Sequence, residues 1–284
     1  MNPIFILARM TFVQAIRRKI VLTGLLLGLC FLVIFSIGFH MINTSSIGAI
    51  PSDAGEGVQN IINTEKSSGI FLAGLYAVTF LGIAMAALLG ADTLAGEINS
   101  GTIQVIVTKP IRRSDVVFGK WLGFAGLLGL YLLLLAGGTT LSILVQSGYV
   151  APHLFAGLGL IYMESLLIMT VAMACSSQFS ALATGGIVFG LYGLAFIGGW
   201  IEQIGAVLNS PTAVQVGILT SLIIPSESLW RRAAYEMQSP ISGLLGISPF
   251  GATSVPSLFM VVYALLYLLA VLALTIRIFQ KRDL

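Results

Sequence analysis

The chain has 284 residues, of which 57% are hydrophobic and 9% charged, with a mean hydropathy of +1.00. Soluble domains carry about 25% charged residues, so this composition excludes a water-facing surface and describes an integral membrane protein. The net charge of +3 is too small to imply nucleic-acid binding. Cys30 and Cys175 are far apart in sequence, each in or beside an apolar run, and form neither a disulfide framework nor a CxxC metal pattern.

In chain order, residues 1–19 read as an elbow helix lying in the inner interface. Phe5, Phe12 and Ile16 share one face at helical spacing, with Gln14 and Arg18 opposite. The apolar run 20–42 follows; both it and its charged leader are too long for a cleavable signal, so it is expected to be a retained span. Residues 43–68 are polar, with Pro51, Asp53, Gly55, Glu56 and Gly57, and are expected to form a loop. Further spans are predicted at 69–90, 118–145, 154–174, 181–207 and 257–279, with a tight inner turn at 175–180. Each run meets the requirement of about 20 apolar residues and lacks the alternation of membrane strands, so an all-α fold with six transmembrane helices is expected.

Residues 208–256 form an outer segment containing Pro211, Pro225, Pro240, Pro249 and Pro256. The apolar stretch 212–224 is too short to span and is expected to be re-entrant or interfacial. A second short helix is predicted over 226–237, with Ser226 as N-cap, Glu227 in the first turn and Trp230 at an interface. With this topology, eleven basic residues flank the inner side. Only Lys66, Arg231 and Arg232 fall outside. That bias places both termini in the cytoplasm and the chain in the cytoplasmic (inner) membrane as a multi-pass protein.

The most informative stretch is the inner connection 91–117 with its flanks. Ile103, Ile106 and Val107 recur at helical spacing; Gly101-Thr102 opens this turn and Pro110 closes it. A stiff, charged, amphipathic piece between two spans is suited to receive force from a cytoplasmic partner. The order Glu97, Gly101-Thr102, apolar run, Pro110, Arg113, Gly119-Lys120 resembles the membrane subunits of type-2 (ABC-2) ATP-binding-cassette exporters. The elbow, six spans and short outer helices resemble the same plan. The size is similar to single-domain permeases of nitrous-oxide-reductase maturation and of sodium or antibiotic export. Ile and Val replace the commoner Leu in the apolar run, and no large outer domain is inserted, unlike the macrolide-type architecture.

The resemblance implies that 91–117 is a coupling loop docking on a separate ATPase, with Glu97, Gly101, Thr102, Pro110, Arg113 and Lys120 carrying the coupling. It implies two ATPase copies, a second permease copy or paralogue, and ATP and Mg bound by the partner, with no cofactor on this chain. The residues agree that fuel comes from elsewhere: Gly119-Lys120 is followed by Trp121, and Ser114 stands where a P-loop needs its first glycine. The competing role for Arg112, Arg113 and Lys120 is anchoring to anionic lipid heads.

One acid lies well inside a predicted span. Glu164 is about 14 Å deep at 1.5 Å per residue, where a charge must be neutralised, paired or hydrated. Candidate partners are hydroxyls such as Tyr131, Tyr162 and Thr170, or a second subunit. Glu164 either lines the translocation path or hydrogen-bonds between helices. Glu202 and His40 read as interfacial, and Met163, Met169 and Met173 as packing residues rather than metal ligands. Gly186 and Gly190 form a small-xxx-small pair for close helix approach. The rival functions are an ion-coupled secondary transporter, a lipid-acting membrane enzyme, and a non-transporting assembly subunit that keeps the ATPase partner.

Overall fold

The computed structural model describes residues 3–44, 55–99, 112–241 and 254–281; over 94–99 only the helical backbone is described. Among these residues the chain forms α1 (Pro3–Ile16), α2 (Lys19–Thr44), α3 (Glu56–Asn99), α4 (Arg113–Ser147), α5 (Leu154–Ser176), α6 (Ala181–Val207), α7 (Pro211–Ile223), α8 (Ser226–Met237) and α9 (Leu258–Lys281). Helices α2, α3, α4, α5, α6 and α9 are long and apolar enough to cross a membrane. This is the six-span all-α architecture that composition predicts.

Helix α3 has 44 residues, hence about 66 Å, against a hydrocarbon core of about 30 Å. It therefore extends past the bilayer. This corrects the expectation of a loop through residue 68, because the helix starts at Glu56. Its polar turns are held by tertiary contacts. Lys66 Nζ donates to the Ile42 carbonyl at 2.7 Å, Ser239 N donates to Ser68 Oγ at 3.1 Å, and the Ser239 hydroxyl donates to Glu65.

Helices α3 and α5 form the centre of the bundle. A Cβ added at Gly90 would lie 2.5 Å from Ala172 Cβ and 2.8 Å from the Met169 carbonyl oxygen, so the two backbones approach as only glycine allows.

Helix α1 packs along the start of α4. Its buried residues are Ala8 and Ala15, while Phe5 and Ile16 are exposed. The reason is steric: Gly119 abuts Leu7 and the Ile4 carbonyl, and Gly123 abuts Thr11 and the Ala8 carbonyl. Small residues fit that spacing and large ones are turned outward. Phe12 is half-buried against the core.

Helices α7 and α8 meet at a bend of 110°. Helix α7 retraces α6, with Ala213 against Gly205, Gly217 against Glu202 and Thr220 against Gly198. At the bend α8 turns away, setting Glu227 against Gly199 and Met237 against Gly157 of α5. Gly199 lies eight residues from the end of α6, so the hairpin reaches about 12 Å back along it. Two local expectations are corrected. Pro225, not Ser226, occupies the N-cap position of α8, because the helix begins one residue earlier than expected; Ser226 is inside the helix with its hydroxyl buried. Trp230 is 2% exposed and packs on the Tyr76 ring at 4.8 Å, because α8 is covered by α3 and α5 instead of lying in an interface.

The glycines of α6 divide. Gly198 and Gly199 are packed against α7 and α8, whereas Gly186 and Gly190 have no neighbour within 4 Å and face away from the described helices of this chain.

Candidate functional site

The end of the bundle that carries the α3–α4 connection is cross-braced. Arg18, at the α1–α2 junction, pairs with Asp92 of α3 at 2.5 Å, both side chains about a third exposed. Arg113 opens α4, and its Nη1 donates to the Gln280 carbonyl near the end of α9 at 3.1 Å. Val117, Met173 and Phe279 pack together with Trp121, whose Nε1 donates to Thr170 Oγ1 at 2.9 Å. Helices α4, α5 and α9 are thereby joined below the core, while α1 is clamped on α4 by the Gly119 and Gly123 contacts.

The structure places the predicted coupling residues unevenly. Glu97 lies in the final turns of α3. Gly101, Thr102 and Pro110 lie outside the described residues. Arg113 is half-buried in the brace to α9. Lys120 is 4% exposed and lies inside the packing around α4. Arg112 is exposed.

Glu164 is fully buried in α5, and neither carboxyl oxygen has a hydrogen-bond partner among the described residues. The three expected partners are engaged elsewhere. Tyr131 donates to the Gly24 carbonyl at 3.2 Å, Tyr162 to the Ala125 carbonyl at 2.9 Å and Thr170 to the Leu166 carbonyl at 2.6 Å. The group that acts on Glu164 electrostatically is another acid, Glu227 of α8. Glu227 is also buried, with Oε2 unpartnered among the described residues. Tyr76 and Tyr192 lie near these two acids. With Phe80 and Phe196 these tyrosines line an open groove of about 640 Å³ between α2, α3 and α6. An aromatic groove thus lies on one side of two buried carboxyl groups.

The expectation that Glu202 is merely interfacial is corrected. It is 4% exposed and pairs with Arg231 of α8 at 2.6 Å, because the α7–α8 hairpin folds over it. Arg231 and Glu227 were missed as functional residues. The available signal was a pair of opposite charges on a short helix after a proline, in a segment otherwise poor in charge.

Two buried acids, an aromatic groove and a braced end beside the α3–α4 connection, carried by six spans, define a multi-pass membrane protein of the permease type. A family model described as "ABC-2 family transporter protein" matches residues 6–284, and the chain belongs to that family. It is 34% identical over 107 residues to a Pseudomonas aeruginosa protein called "Probable ABC transporter permease protein NosY", a match covering 37% of this chain and 39% of that relative's length.

Proposed function

We propose that this chain is the permease subunit of an ATP-binding-cassette exporter and is driven by a separate ATPase that binds ATP and Mg. The observation that carries this reading is the braced inner end: the Arg18–Asp92 pair, the α1–α4 contact and the Arg113–Gln280 bond tie the helices flanking 91–117 into one unit. A push on that connection then moves several spans together. Glu97, Gly101, Thr102, Pro110 and Arg113 carry the coupling, with Lys120 supporting it from within. Two ATPase copies act on a pair of permeases, and the open Gly186–Gly190 face of α6 is where a second copy or paralogue fits closely. Both termini face the cytoplasm of the inner membrane, and Glu164 lines the path.

The test is purification of the native complex followed by transport in proteoliposomes. The reading expects an ATPase to co-purify and ATP to drive transport, with Glu164→Gln folded but inactive. Isolation without any nucleotide-binding subunit would overturn it. A second reading, ion-coupled transport, draws on the unpartnered oxygens of Glu164 and Glu227; it expects an ion gradient alone to drive transport in the same vesicles.

A further inference from the structure

At the end of the bundle away from the α3–α4 connection, a cavity of about 240 Å³ opens between α6, α7, α8 and the start of α9. Two of its walls are charged. Glu202 Oε1 faces Arg231 Nη1 at 2.6 Å and also accepts from Ser254 Oγ at 2.7 Å. Arg231 Nη2 reaches Ser221 and Ser228 only at 3.4 and 3.3 Å. The pair is 2% and 6% exposed.

A purely structural ion pair at this depth is expected to use all its polar atoms, since a buried one without a partner is destabilising. This pair does not. Glu202 Oε2 and Arg231 Nε have no partner among the described residues, and the adjoining space is several times what one water occupies. The neighbouring Arg232 cannot supply the missing charge, because it is paired with Glu236 at 2.6 Å. The cavity thus offers one anionic acceptor, one cationic donor and serine hydroxyls that serve either way. A group carrying both an ammonium and an anionic oxygen satisfies both.

The rim is apolar. Ile218, Val255 and Met260 border the cavity, and beyond them Leu219, Leu222 and Phe259 are exposed along α7 and α9. A polar pocket opening onto an apolar flank fits an amphiphile, with its head inside and its chains outside. The unpartnered carboxylate oxygen calls for a hydrogen-bond donor, and of the two common zwitterionic heads a primary ammonium carries one while a quaternary ammonium does not. We infer that this cavity is a lipid head-group site selective for a phosphoethanolamine head, its ammonium on Glu202 and its phosphate on Arg231 and the serines. The site does not depend on how transport is powered.

The test is native mass spectrometry of the full chain exposed to equal amounts of phosphatidylethanolamine and phosphatidylcholine. The ethanolamine lipid is expected to be retained at least about tenfold over the choline lipid, the size of one charge-assisted hydrogen bond. Equal retention would overturn the proposal. Glu202→Gln, which removes the charge, and Ser257→Leu, which obstructs the exposed mouth without touching the ion pair, should both abolish the preference. Ser257→Leu decides alone if the first variant does not fold. Preference surviving in the folded variants would put the lipid elsewhere and refute the site. Glycerophosphoethanolamine lacks chains and should compete poorly; competition equal to the lipid's would assign the pocket to a soluble zwitterion and overturn the lipid assignment.

Discussion

Helix α2 has 26 residues with Lys19 as its one charged side chain, and three of them are buried; α8 has 12 residues with four charged side chains, and nine are buried. In water the order would be reversed. Here the surroundings of α2 are lipid tails as apolar as its own leucines, so covering it with protein gains little. Helix α8 brings Glu227, Arg231 and Trp230 to a place where the tails of lipids could satisfy none of their polar atoms. Protein supplies most of the cover instead, and α3, α5, α6 and α7 close around it. Burial in this molecule follows polar need more than hydrophobicity, and the groups with functional potential collect under α8.

The sharpest way to break that comparison is to remove one charge beneath α8. Arg231→Ala leaves Glu202 buried and unpaired, and is expected to destabilise the chain by about 3–5 kcal/mol, read from unfolding in detergent. The double change Glu202→Met with Arg231→Met should recover most of the loss, because it removes the uncompensated charge. If Arg231→Ala unfolds no more easily than Leu26→Ala on the exposed face of α2, the contrast between the helices is wrong.

What the sequence revealed follows the same physics. Long apolar runs announce their spans whether or not they are buried, so all six spanning helices were legible. Glu164 was legible because an acid in an apolar run stands alone. The outer turns of α3 were not, since residues 56–68 have the composition of a loop and become helix through contacts such as Ser68 with Ser239, 171 residues away. The Glu202–Arg231 pair was hidden for a similar reason: only the 110° bend brings its two helices together, and no spacing rule encodes a bend. At the inner end, the motif identified the connection, but Gly101, Thr102 and Pro110 lie outside the described residues.

A smaller effect separates the two kinds of glycine. Gly90→Leu drives a side chain into Ala172 and the Met169 carbonyl and should destabilise by about 1–3 kcal/mol. Gly186→Leu meets nothing within 4 Å and should leave the unfolding of a single chain unchanged to within about 0.5 kcal/mol. The same detergent titration checks both. Loss of permease pairing in Gly186→Leu, by crosslinking, would sharpen the distinction between inward and outward small residues.

The smallest expected change in stability is at the Arg18–Asp92 brace, where function should respond more than folding. Arg18 and Asp92 are each about a third exposed, so solvent screens them and Arg18→Ala should remove no more than about 1 kcal/mol. Yet the pair links the α1–α2 junction to the helix that enters the 91–117 connection. If that connection receives the stroke, slackening the pair lets α3 move without α1 and α2, and transport per ATP hydrolysed should fall while hydrolysis continues. Exchanging the charges, Arg18→Asp with Asp92→Arg, restores the attraction and should restore the ratio. Unchanged coupling in Arg18→Ala would mean that force enters the bundle through α4 alone, by way of the Gly119 and Gly123 contacts and the Arg113–Gln280 bond.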